Sequence, residues 1–435
     1  MKLVLGFSIP LIFGNLFQQF YSMVDTIIVG RFLGTNALAA VGSTGSINFF
    51  ILGFCLGICS GFAIPVAQRF GSKDFADLKR FVGNIIWLAA GFSLVMAVLT
   101  AVLCRPILEA MSTPADIIDD AYHYIVVIFV GIPVIVFYNT LAGLLRALGD
   151  SKTPVLFLVM ASLLNIGLDL LLILVIPMGV AGAAWATVIS QAVSGIACFL
   201  FILKKFPLLH VSRDDLKIRP RYLRRLLGMG VPMGLQSSIT AIGSIILQTS
   251  VNGLGSVAVA SVTAASKLYM LFSCAFDALG ISMSTYGGQN IGAGKPDRIR
   301  HGLRAGLLIG GVYSVLSFLL LFFFGKPLTL LFVDGSEALI IEQAYEYLVI
   351  KAAFFLPLTA VNVFRLLIQG MGYSKLAVFA GVFEMVARGL TGLLLVPVFG
   401  FTAACFAGPI AWVMADCFLI PAYRKVMKHV KEYGH

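Results

Sequence analysis

Two aspartates stand inside otherwise apolar runs: Asp25 in LFQQFYSMVDTIIVG and Asp169 in LLNIGLDLLLILVI. A carboxylate at the centre of a membrane helix costs about 3 kcal/mol, so acids in such places tend to bind or carry an ion. Two of them, with an amide and a hydroxyl, can hold a proton or a small hard cation such as sodium. The neighbouring residues have the spacing to join them. Asn15, Gln18, Ser22 and Asp25 follow at intervals of 3, 4 and 3, which puts all four on one helix face with Tyr21 beside them. Ser162, Asn165 and Asp169 form a second stripe, and Ala183, Thr187, Gln191 and Ser194 a third.

Depth gives an independent test. Asp25 lies six residues before Arg31, about 9 Å along a helix. Asp169 lies eight residues before Pro177 and Thr187 eight after Gly179, each about 12 Å. Three helices therefore carry polar groups at one level of the outer half, and Tyr124 reaches the same level. Small polar residues in membrane helices are often interhelical hydrogen-bonding groups, which is the preferred reading of Asn139, Gln191 and Ser194. For Asp25 and Asp169 ion binding is preferred, because the sequence places no lysine or arginine in the interior of the first half.

The elements that must position these residues are membrane helices. Of 435 residues, 59% are hydrophobic and 12% charged. Segments of about 20 apolar residues recur twelve times: 4–30, 37–66, 81–104, 118–147, 154–176, 180–203, 226–251, 257–289, 302–325, 339–371, 376–397 and 401–423. The fold class expected is all-α integral membrane, twelve helices in two six-helix lobes related by a pseudo-twofold along the membrane normal. The first segment has no cleavage site of a signal peptide. The chain opens abruptly at Met1-Lys2, so a short leading segment is expected to be missing.

The net charge of +11 suggests nucleic acid until it is mapped. Lys2, Arg69, Lys73, Lys79, Arg80, Arg146, Lys152, the basic run 204–225, Lys295, Arg298, Arg300, Arg304, Lys375, Arg424, Lys425, Lys428 and Lys431 all fall in alternate connections. The opposite connections hold only Arg31, Arg105 and Lys326, with Glu109, Asp116, Asp119, Asp120, Asp334 and Glu337. The positive-inside rule puts both termini in the cytoplasm, and no nucleic-acid partner is expected. The seven cysteines include no CxxC pair and read as apolar fillers. HExxH and GxSxG are absent, so no enzyme is expected.

The two halves repeat each other at an offset of about 222 residues. Pro10 matches Pro232, Gly34 matches Gly255, Asn139 matches Asn362, and Gly149, Ser151 and Lys152 match Gly372, Ser374 and Lys375. The domains read as 1–205, a basic cytoplasmic linker 206–224, and 225–435. Six helices return the chain to its starting side, so the repeats share one orientation. Two such lobes around a cleft that opens alternately is a transporter arrangement. The second half carries charges of its own: Lys267, Asp277, Lys351, Arg365, Glu384, Arg388 and Asp416. Glu384 and Arg388, four apart with the acid first, favour an intrahelical ion pair. Asn362, Arg365 and Gln369 share a face. For this group mutual neutralisation and a role in substrate binding or gating both remain open.

Several motifs together resemble the multidrug and toxic compound extrusion (MATE) transporters, bacterial DinF-like branch. They are IPLIFGNLFQQFYSMVDTIIVGRFLGTNALAAVG at the start, RALGDSKTP after span four, and NIGLDLLL with GVAGAAWATVISQ across spans five and six. The resemblance covers essentially the whole chain. It implies a monomeric proton- or sodium-driven antiporter in the bacterial inner (plasma) membrane that expels organic cations, without any cofactor beyond the coupling ion. It puts the cation site, for proton or sodium, on Asp25, Asn165, Asp169 and Thr187, and a hinge of the first helix at Pro10. We assign the substrate cleft to Gln18, Tyr21, Tyr124, Asn139, Asn362, Arg365, Glu384 and Arg388. The NorM-like branch of that family uses a carboxylate in span seven. Span seven here has no acid, and Ser237 and Ser238 occupy the region. The alternatives are a flippase for lipid-linked sugars or another amphipathic anion, suggested by the second half's bases, and a major-facilitator transporter, whose basic motif GSKDFADLKR echoes faintly.

Overall fold

The computed structural model describes residues 1–111, 113–333 and 335–433; Asp334, one of the acids counted above, lies outside them. Among the described residues all regular structure is helical. In hydrocarbon a backbone must satisfy its own polar groups, and a helix does so within one segment. The first half runs α1 (Lys2–Leu33), α2 (Thr35–Ser43), α3 (Gly45–Ser72), α4 (Phe75–Ala110), α5 (Ile118–Val130), α6 (Ile132–Ala147), α7 (Lys152–Leu170) and α8 (Val180–Lys205). The second runs α9 (Pro220–Asn252), α10 (Ser256–Gly292), α11 (Pro296–Thr329), α12 (Ala338–Ala353), α13 (Phe355–Gly370), α14 (Ser374–Leu390), α15 (Val396–Phe399) and α16 (Phe401–Tyr433).

Among the described residues nine helical stretches are long and apolar enough to cross a membrane. Bent pairs supply two more: α5 with α6 at 46° and α12 with α13 at 52°. Hydropathy alone predicts a straight span for each pair. Pro133 and Pro357 stand just past the two breaks, where a missing N–H and a bulky ring prevent the helix from running on. The last of the nine, Ser374–Glu432, has 59 residues, about 88 Å at 1.5 Å per residue against a hydrocarbon core of about 30 Å. It breaks at Gly400, whose φ is 63°, and so provides two crossings. Counted this way, the described residues make twelve.

The duplication is written into the backbone. Gly34 and Gly255 have φ of 90° and 98°, Gly149 and Gly372 91° and 98°, and Gly179 and Gly400 61° and 63°. A π-helical turn follows α7 at Leu171–Val175 and α14 at Thr391–Leu395. Arg105 pairs with Asp119 at 2.7 Å and lies over the Tyr122 ring at 5.8 Å. Its counterpart Lys326 pairs with Glu342 at 2.5 Å and lies over Tyr345 at 5.1 Å. These two bases of the acid-rich connections are therefore neutralised where they stand.

One pair breaks the match. After α10 the left-handed position is Gly294 (φ 65°), but after α3 it is Lys73 (φ 60°). A side chain there meets the following carbonyl, at a cost of about 1–2 kcal/mol. We expect Lys73→Gly to raise stability by about 0.5–1 kcal/mol, read as a higher unfolding midpoint in detergent.

Contacts divide the chain into two compact units, residues 13–234 and residues 1–12 with 235–435. The change of unit falls two residues after Pro10 within α1 and two after Pro232 within α9. In the 13–234 unit the start of α9 crosses α3 at small residues. A Cβ on Gly61 would sit 2.5 Å from the Gly230 Cα, and one on Gly57 2.7 Å from the Met233 carbonyl oxygen. Paired small residues four apart let backbones approach this closely. Gly61→Ala should force the helices apart and cost about 1–3 kcal/mol, measurable as a lower unfolding midpoint. In the other unit the start of α1 meets α10 at the equivalent residues, where Ser8 Oγ donates to Ser282 Oγ at 2.7 Å.

The 13–234 unit also contains the connection 206–219, strapped onto α4. Asn84, fully buried, accepts from the Arg219 N–H (3.0 Å) and donates to the Lys217 carbonyl (3.3 Å), while Trp87 Nε1 donates to the Leu216 carbonyl (2.8 Å). Within the strap, Lys217 and then Arg219 hold the exposed Asp214 carboxyl below its ordinary range.

Candidate functional site

The candidate site lies inside the 13–234 unit, where α1, α5, α7 and α8 contribute its groups. Asp25 and Asp169 face each other, carboxyl to carboxyl, within hydrogen-bonding range. Asp169 is 0% exposed, and Asp25 half-buried. One oxygen of each, Oδ1, is buried without a hydrogen-bond partner. Tyr21, half-buried on α1, and Tyr124, buried on α5, stand within electrostatic reach of both acids. Gln18, one turn before Tyr21, is exposed.

Asn165 ties α7 to α8. It is 1% exposed, and the amide orientation that satisfies both ends points its nitrogen at Asp169 Oδ2 (3.3 Å). Its oxygen then accepts from the Thr187 hydroxyl (3.3 Å) and the Thr187 N–H (3.1 Å). The site thus presents two unpartnered carboxyl oxygens beside an amide and a hydroxyl. Two carboxylate oxygens cannot approach one another without a proton or cation between them, so the arrangement suits reversible uptake of positive charge.

Other expected residues lie elsewhere. Asn139 donates to the Ile135 carbonyl of its own helix at 2.8 Å. Ser194 donates to the Phe157 carbonyl at 2.5 Å. Arg146 stands in the last turn of α6, half-buried near Tyr138 and Cys59, with no carboxylate within 4 Å among the described residues and no bond to either aspartate.

In the other unit a second charged cluster forms. Glu384, 3% exposed, accepts from Arg365 at 2.8 Å and from Arg388 at 3.3 Å. Arg365 also donates to Asn362 Oδ1 at 3.2 Å, and Arg388 to Ser244 Oγ at 3.3 Å. Asp416 lies near Glu384 and Arg365, and Asp277 near Arg365. Lys351 has an unexpected setting. Its ammonium is 4.4 Å from the Tyr269 ring centroid and 4.2 Å from that of Tyr347, whose hydroxyl it reaches at 2.5 Å. Tyr347 is four residues before the lysine on the same helix, whereas Tyr269 comes from α10, a contact that sequence spacing does not show. The π-helical turns at Leu171–Val175, soon after Asp169, and at Thr391–Leu395, soon after Arg388, left no sequence signal, since each is a one-residue change of winding.

A duplicated helical membrane protein with buried acids at this level is built as a transporter, and comparison supplies the family. The MatE family model matches residues 10–171 and 232–394, one stretch in each repeat. The chain belongs to the MatE family; it is a multi-pass membrane transporter, not an enzyme. A Bacillus subtilis (strain 168) protein named "Probable multidrug resistance protein YoeA" is 31% identical over 344 residues, covering 78% of this chain and 74% of that relative. A Shewanella oneidensis protein named "FAD transporter" is 25% identical over 368 residues, covering 83% and 80%. The fold is that of a crystal structure of MATE in complex with MaL6, with a TM-score of 0.93 at 21% identity, covering 99% of this chain and 97% of that one.

Proposed function

We propose that the protein is a secondary active antiporter of the bacterial inner membrane, with both termini in the cytoplasm. It exports organic cations in exchange for protons or sodium ions by rocker-switch alternating access, as a monomer. The observation that carries this reading is the facing pair Asp25 and Asp169, each with a buried, unpartnered oxygen. Positive charge arriving from outside occupies the pair and releases the bound organic cation; its loss on the inner side restores an anionic site. Asn165 and Thr187 stand beside the pair and complete a polar set that could take either a proton or sodium. Tyr21, Tyr124 and Gln18 line the path of the organic cation, and α1 hinges at Pro10.

Energetics constrain the coupling. One pH unit contributes about 1.4 kcal/mol, and one charge crossing 100 mV about 2.3 kcal/mol. One proton for one monovalent cation is electroneutral and draws on the pH gradient alone. Two protons draw on voltage as well. Ethidium efflux from reconstituted vesicles, under pH and sodium gradients imposed separately, tests the reading. Efflux driven by either gradient supports it, and efflux indifferent to both refutes ion coupling.

A second reading has one observation in its favour. In the second unit Arg365 and Arg388 both pair directly with Glu384, with Asp277 and Asp416 nearby, and a relative is named for FAD, an anion. Export of an amphipathic anion, or flipping of a lipid-linked sugar, would use those bases. Vesicle efflux of FAD and a lipid-flipping assay, run beside ethidium, separate the two.

A further inference from the structure

We propose that the start of α11 and the end of α16 form a binding site for a phosphate group, carried by an anionic phospholipid headgroup or by a free phosphate compound. A cavity of about 350 Å³ is lined there by Arg300 from α11 and by Tyr423, Arg424, Met427, Lys428 and Lys431 from α16. The α16 residues recur at steps of four, so they form one stripe. Lys428 is partly neutralised by Glu432, also on the cavity wall, at 3.8 Å, and Lys431 by Asp297 at 3.6 Å. Arg300 and Arg424 have no carboxylate within 4 Å among the described residues. Two guanidinium groups therefore face the cavity uncompensated.

The second observation is Tyr423. It is 7% exposed, its ring is held edge-on against Phe364 at 5.4 Å, and its hydroxyl is buried with no hydrogen-bond partner. Arg300 lies within electrostatic reach of that hydroxyl. Burying a hydroxyl unbonded is costly, so its retention beside a cationic cavity points to an absent acceptor. Two guanidiniums and a hydroxyl donate from several directions, which suits a phosphate with its several oxygens.

The repeat shows that packing does not demand these residues. At the matching offset the first half has Ile202 and Leu203 in place of Tyr423 and Arg424, and Phe206 and Pro207 in place of Met427 and Lys428. Apolar side chains fill the first two of these positions within α8, which ends at Lys205, so helix packing in the repeat does not itself call for Tyr423 and Arg424. Basic pockets between membrane helices on the cytoplasmic side are places where phospholipid headgroups bind.

The test uses delipidated full-length protein in detergent. Phosphatidylglycerol and phosphatidylcholine are titrated by native mass spectrometry, and sodium phosphate by thermal shift. Phosphatidylglycerol should bind more tightly than phosphatidylcholine. Arg300→Gln with Arg424→Gln should weaken the phosphate-bearing ligand at least about tenfold, as expected for loss of charge-assisted hydrogen bonds. Tyr423→Phe should weaken it by a smaller factor, while Lys204→Gln with Lys205→Gln should leave it unchanged. Phosphatidylglycerol binding without protection by sodium phosphate assigns the site to the membrane; the reverse assigns it to a soluble anion. Equal responses from wild type and the arginine variant overturn the proposal. If that double variant does not fold, Arg424→Gln alone and Tyr423→Phe decide by the same criterion.

Discussion

Vesicles containing the Asp169→Asn variant are expected to show no ethidium gradient when a pH gradient is imposed. For wild type exchanging one proton per cation, one pH unit supports a concentration ratio of about ten; for the variant the ratio should stay at one. The substitution removes charge and titration but keeps shape. The Asn165 amide can still donate to the remaining side-chain oxygen, so the α7–α8 tie and membrane insertion should survive. Asp25→Asn should give the same loss although Asp25 is less buried, because the two carboxyls act on one ion. The double variant should then be no worse than either single one, the non-additivity expected of residues that work as a unit. A correctly inserted Asp169→Asn protein that still builds the gradient would refute the assignment.

The second large effect should come from Glu384→Ala. Glu384 is the shared acceptor of Arg365 and Arg388, and its removal leaves two guanidiniums in a buried setting with no carboxylate bonded to either. Breaking a buried charge pair from one side costs about 3–5 kcal/mol. The unfolding midpoint in detergent should fall sharply. Glu384→Gln, which keeps one acceptor oxygen, should fall less. Replacing Glu384, Arg365 and Arg388 together by leucine should recover much of the loss, since a hydrophobic set has no unpaired charge to bury. Transport by that triple variant then separates two roles for the cluster. Retained ethidium efflux makes it structural, and lost efflux in a stable protein gives it a part in transport.

Much of the architecture was legible because hydrocarbon imposes length and polarity on each helix. Asp25, Asn165, Asp169 and Thr187 stood out because a carboxylate or amide in an apolar run is conspicuous, and the intervals of three and four fixed their faces. The duplication was visible at Gly34 and Gly255, and both adopt a positive φ, 90° and 98°. What escaped notice depends on contacts between distant helices. The setting of Lys351 against Tyr269 joins α12 to α10. The strap on Asn84 joins residues more than a hundred apart. The breaks before Pro133 and Pro357 were readable in principle, since proline marks them, but average hydropathy hides them.

The division of α1 and α9 between the two units has a historical consequence. Each repeat carries its opening segment in the unit built mainly by the other: residues 1–12 at Ser282, and the start of α9 at Gly61. A gene encoding a single repeat would have made a chain unable to complete itself, yet able to complete a sister copy. Two such copies could complete each other only by trading those arms, and only at a concentration that brings them together. Joining the two repeats in one chain makes that encounter an event within one molecule, independent of concentration, and lets the two copies differ, as Asp169 in one and the Arg365–Glu384–Arg388 cluster in the other do.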